Sequence, residues 1–123
     1  MSNYETENNR LLRLMKSSST CQVQGLFMMM YVENKTMSDV QNETGISRQT
    51  LSSWKKGGNV MHVNVQKVAD TYGLDVTALY DADLYLNSYI AKKGRGAGSV
   101  REVHREYQYL KEALANETEI QEQ

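Results

Sequence analysis

Apolar residues recur at helical spacing through most of the chain. Val23, Leu26, Phe27, Met30 and Tyr31 follow i, i+3, i+4, i+7, i+8, which lays them on one face of a helix. In that register Met30 faces the core, while Met28 and Met29 sit partly exposed. Ser19 and Gln22 have the Ser-x-x-Gln spacing of a capping box, which places the helix start there. Ahead of it, Tyr4, Leu11, Leu12, Leu14 and Met15 give a weaker stripe over residues 4–16, broken by Ser17-Ser-Ser-Thr20.

Two short helices follow. Thr36 caps the first, residues 37–44, which buries Val40; Gly45 closes it, because glycine takes the left-handed conformation without steric cost. Ile46 plugs the turn and Ser47 caps the second, residues 48–56, which Gly57-Gly58 stops. Leu51 and Trp54 are the buried pair of that helix, and the positions around them are polar. Val65, Val68, Ala69 and Tyr72 make the face of a further helix ending near Gly73, and Thr77 is the cap of a short one through Leu79 and Tyr80.

Residues 82–91 read two ways. Ala82, Tyr85, Leu86, Tyr89 and Ile90 have helical spacing, whereas Leu84-Tyr-Leu86 and Tyr89-Ile90 also suit a strand. Lys92-Lys-Gly-Arg-Gly-Ala-Gly98 reads as a flexible, basic linker. It suits either a hinge or an arm that trails along phosphates. Ser99 and Glu102 form a second capping box at the head of a helix to about Asn116, with Glu117 to Gln123 as a frayed tail. Along that helix Val100, Val103, Tyr107, Leu110 and Leu114 are spaced 3, 4, 3, 4, the repeat of a coiled-coil seam. The seam suits self-association, joined by Leu84, Tyr85, Tyr89 and Ile90, or a helix folded back on its own domain.

Proline is absent and no segment alternates with period two between turn pairs, so the expected fold class is all-α. The expected divisions are an N-terminal extension (1–18), a helical domain (19–91), the linker (92–98) and a C-terminal helix (99–123). With 123 residues and 40% apolar content there is material for one modest core. No apolar run reaches the roughly 18 residues of a membrane span, and the N-terminus lacks a signal-peptide pattern. A cytoplasmic location is the expectation.

Candidate chemistry is sparse. The single cysteine, Cys21, and the two histidines, His62 and His104, lie far apart without ligand spacing, so no metal site or cofactor is expected. No glycine-rich phosphate loop, nucleophile elbow or clustered acid–base pair occurs, which argues against an enzyme. The net charge of -1 conceals a gradient. Residues 35–67 carry five cations against two anions, residues 70–83 carry four anions and no cation, and residues 106–123 hold five glutamates against one lysine. A nucleic-acid footprint depends on where cations cluster, so the total does not exclude DNA.

The stretch Thr36 to Gly57 resembles the phage lambda repressor and Cro-like helix-turn-helix family, also called the XRE family. Thr36, Val40, Gly45, Ile46, Ser47, Leu51, Trp54 and Gly57 fall where that family places capping, core or turn residues, and the likeness continues through Val68-Ala69, Gly73-Leu74 and Leu79. With the helix from Ser19 it covers residues 19–80, about half the chain. Gln41 stands where the family has alanine, Met37 where it often has glutamine, and Val60 and His62 near a proline and an aliphatic slot.

The resemblance implies a five-helix domain whose helix 47–56 lies in the DNA major groove, in a twofold dimer on a palindromic operator. With Ile46, Leu51 and Trp54 turned inward, Arg48, Gln49, Ser52 and Ser53 become the base-reading residues. Arginine pairs in bidentate fashion with guanine, glutamine pairs likewise with adenine, and the small serines permit close approach. Lys35, Thr36, Ser47, Thr50, Lys55 and Lys56 are the phosphate contacts, through side chains and through free amides at the two helix starts. Trp54 is core. The implied function is transcription regulation, most simply repression, in a phage or mobile-element switch. The stretch after Tyr80 is too short for the self-cleaving domain of large family members, which leaves release to an antirepressor or another regulator. The other reading is a protein-interaction module, an antitoxin or antirepressor, whose acidic C-terminal helix grips a partner.

Overall fold

The computed structural model describes the backbone of residues 3–122 and the side chains of residues 10–116. Its elements are α1 (Asn3–Ser17), α2 (Gln24–Glu33), α3 (Met37–Thr44), α4 (Arg48–Lys55), α5 (His62–Tyr72), α6 (Val76–Tyr80), α7 (Ala82–Lys93), a 3-10 turn (Gly94–Ala97) and α8 (Gly98–Glu122). The chain is all-α, and no strand occurs among the described residues. Residues 82–91 are helical because Asp81 accepts the amides of Asp83 and Leu84 and so starts α7. No helix among the described residues is long and apolar enough to cross a membrane.

α2 is the axis of the bundle, packed on α6 and α7. The one-sided stripe expected for it is too narrow. Gly25, Leu26, Phe27, Met28, Met29 and Met30 are all buried, so Met28 and Met29 are core and not partly exposed. Partners on several sides explain why this helix is apolar all round. At Gly25 the α2 backbone meets α6 so closely that a Cβ would stand 1.8 Å from the Ala78 carbonyl oxygen.

The expected start of α2 is displaced. Ser19 and Gln22 form no capping box; the helix begins at Gln24, with Val23 at the cap position and no side-chain cap. Instead the Gln24 side chain donates to the carbonyls of Ser18 and Ser19, and Cys21 Sγ accepts the Val23 amide. In the same way Asp75, not Thr77, caps α6, accepting both the amide and the hydroxyl of Thr77. His62 stacks on Tyr80 and bonds its hydroxyl at 2.9 Å, tying the head of α5 to the end of α6.

The segment 92–98, expected as a flexible linker, is helical backbone throughout: α7 runs through Lys93, the 3-10 turn follows, and Ala97 is buried. Because the turn is tight, α8 doubles back along α7 and reaches α1. Val100, Tyr107 and Leu110 are buried in the chain's own core, and Val103 packs against it. Leu114 lines a cleft with Leu14, Met28 and Tyr107. Of the two roles open to the seam, folding back is the one this arrangement uses. Tyr85 is buried with it, Tyr89 and Ile90 are half-buried, and Leu84 is exposed. Asp83 fastens the pair, taking hydrogen bonds from Gln108 and from Lys111, the latter at 2.8 Å. α8 starts as a continuation of the turn at Gly98, not at a Ser99 cap, and its backbone stays helical through Glu122. The side chains of Tyr4 and of residues 117–123 lie outside the described residues.

Candidate nucleic-acid interface

α3 and α4 are joined by Gly45-Ile46-Ser47, and both ends of the connection are built by local chemistry. Gly45 takes φ +82° past the end of α3, where its amide bonds the Gln41 carbonyl. Thr44 Oγ1 accepts the Ile46 amide while donating to the Val40 carbonyl, which seats Ile46 in the core. Ser47 Oγ accepts the Thr50 amide and opens α4. Leu51 is 0% and Trp54 2% exposed, so α4 is anchored along one side.

Burial of that side decides what the other presents. Arg48, Gln49 and Ser53 are exposed, Ser52 is half-buried, and the four share the outward surface of α4. The chain turns back beside Ser53: the Gly58 amide bonds its carbonyl, and Gly58 has no Cβ to crowd its hydroxyl. Arg48, Gln49 and Ser53 are therefore the most accessible of the four, with Ser52 half-covered between them. Lys56 is exposed at the end of the same helix. Lys55 is half-buried and leans its ammonium over the Phe27 ring, 5.9 Å from the centroid.

Several expected phosphate contacts are already engaged within the fold. Lys35 Nζ bonds Glu43 at 2.9 Å and lies over the Tyr72 ring, and Tyr72 donates to the same carboxylate. That carboxylate raises the Lys35 pKa, and Lys35 followed by Tyr72 lowers that of Glu43. Burial first, then Glu43, pushes the Tyr72 hydroxyl well above its ordinary value. Lys35 is thus a strut between α2, α3 and α5. At the head of α3, Thr36 and Asp39 cap each other reciprocally. The Asp39 carboxylate already occupies the end where an anion would bind, and Thr36 holds its pKa below the usual value. At the head of α4 the Thr50 amide belongs to Ser47 and the Arg48 amide to the Gln41 side chain. Side chains thus take one first-turn amide of α3 and two of α4, which narrows the set open to an anion at each helix start.

Two contributors escape a local reading of the sequence. Gln41 stands out only as a departure from alanine, yet its carboxamide caps the neighbouring helix. Arg10, Arg13 and Lys16 are spaced in threes along α1, and they line one cleft with Lys55. Comparison with protein-family models, with curated proteins and with solved structures returns no match for this chain.

Proposed function

We propose that this chain is a sequence-specific DNA-binding transcription regulator, in which α3 and α4 form a helix-turn-helix and α2 to α6 a lambda-repressor-like domain. One observation carries the reading. α4 is pinned by Leu51 and Trp54 and shows Arg48 and Gln49, side chains suited to bidentate base pairing, exposed in its first turn. Gln41 and Ser47 fix the backbone from which both project. Ser52 supplies a small side chain one turn on, and Lys56 a cation beside it.

The protein acts as a twofold dimer on a palindrome and represses by occupying promoter DNA. Its dimer contact is not the α8 seam, whose Val100, Tyr107 and Leu110 are inside the fold. The same burial takes the heptad face of α8 out of reach of a partner, which leaves its acidic outer face as the support for an antitoxin or antirepressor reading. Phosphate contacts fall to Lys56 and Lys55 and not to Lys35.

Selection from randomised duplex DNA at about 150 mM salt, where phosphate attraction alone is weakened, tests the proposal. An enriched palindrome is the expected result. Arg48→Ala and Gln49→Ala should each then cost about 1–3 kcal/mol of discrimination at one base position. A bound pool without an enriched motif, or no bound pool, would overturn the reading.

A further inference from the structure

We infer that α1 is a phosphate-binding arm that extends the DNA interface beyond α4; this rests on the DNA-binding reading above. Arg10, Arg13, Lys16 and Lys55 line one open cleft between α1, α2 and α4. For a chain of net charge -1, four cations around a single surface cleft is a strong local bias. A smaller cleft runs on from Arg10 and Lys55 to Thr36 and Met37 at the head of α3. The basic surface therefore borders both helices of the proposed motif.

The placement is fixed by structure. Arg10 lies over the Tyr31 ring at 5.8 Å and Lys55 over the Phe27 ring at 5.9 Å, so both stems rest on α2. Thr20, just past α1, donates to the Lys56 carbonyl at 3.3 Å and packs against Gly57, tying the base of α1 to the end of α4. Lys55 is two helical turns from Arg48 on the same flank of α4. When the first turn of α4 enters the major groove, its far end and α1 lie along the groove edge, where the sugar-phosphate backbone runs. Arg10 to Lys16 rises about 9 Å along α1, comparable to the axial span of two or three phosphates on one strand. The partner this surface fits is the backbone of the duplex that α4 reads.

The test compares the full-length wild type with Arg10→Gln/Arg13→Gln/Lys16→Gln, and with Arg10→Lys/Arg13→Lys, on a selected duplex and on a random one over a salt series. Glutamine keeps helix propensity, and circular dichroism checks that the fold is retained. The glutamine variant should bind both duplexes at least roughly tenfold more weakly, with the slope of log K against log salt lower by about 2–3. The ratio between the two duplexes should stay unchanged, because phosphate contacts carry no sequence information. The lysine variant should keep the wild-type slope. An unchanged slope in the glutamine variant, while the wild type binds, would overturn the role of α1 alone. A changed ratio would overturn it too. A wild type that binds phosphatidylserine vesicles but no duplex would overturn both readings.

Discussion

The Gln41 carboxamide oxygen accepts the Arg48 backbone amide at 2.8 Å, so a side chain of α3 fixes the first residue of α4. Two substitutions separate its structural and electrostatic effects. Gln41→Ala leaves the amide to water and should lower stability by about 1 kcal/mol. Gln41→Glu keeps an acceptor and adds a negative charge at a helix N-terminus, which favours the fold. It also sets a carboxylate beside Arg48 and opposite approaching phosphates. In urea titrations Gln41→Glu should match or exceed the wild type, while its duplex affinity falls.

Gly25 is the point of closest approach between α2 and α6. A methyl group there would collide with the Ala78 carbonyl at 1.8 Å, and that atom is backbone. Gly25→Ala should cost at least about 3 kcal/mol or prevent folding altogether. Gly96→Ala is the control: nothing lies within 4 Å of its added carbon. Its unfolding midpoint should shift by less than about 1 kcal/mol equivalent.

Whether the α8 seam serves one chain or two is readable from concentration. Leu110→Ala removes a side chain buried within the chain's own core, and should destabilise by about 2 kcal/mol. An intramolecular loss is independent of protein concentration, whereas an intersubunit contact makes it concentration-dependent. Thermal unfolding over a hundredfold dilution series should therefore give the same difference from wild type throughout.

Acid should weaken the α3 region. Thr36 holds Asp39, and Lys35 with Tyr72 holds Glu43, below their ordinary values of 3.8 and 4.5. The folded chain then binds fewer protons than the unfolded one. Their stabilisation is complete above those ordinary values and is lost as pH falls through the lower folded ones. Urea midpoints should drop below about pH 4, and Glu43→Gln should show a shallower acid limb than wild type.

Features decided within a few residues were legible in the sequence. The Thr36 and Ser47 caps, the left-handed Gly45, and the inward Ile46, Leu51 and Trp54 all depend on neighbours within a turn. The exposed Arg48 and Gln49 follow from them. What was not legible depends on partners distant in the chain. Lys35 is withdrawn by Glu43 and Tyr72, and Met28 and Met29 are covered because other helices close over α2 from several sides. Ser19 with Gln22 has capping spacing, but the Gln24 side chain satisfies the preceding turn instead. A seam such as Val100 to Leu114 states that a helix buries one side, and spacing alone does not say against which chain. Glycine content suggested flexibility at 92–98, where the burial of Ala97 enforces a turn.

The enclosure of α2 also sets the order in which sulfur meets oxidant. Met61 is 64% exposed, whereas Met28 and Met29 are 2% and 1% exposed. Peroxide converts an accessible thioether to a polar sulfoxide, and a shielded one only when the structure opens. Mild oxidation should therefore mark Met61 in the native protein and leave the bundle standing. Once Met28 or Met29 carries oxygen, the chain holds a polar group at its axis and cannot close around it again.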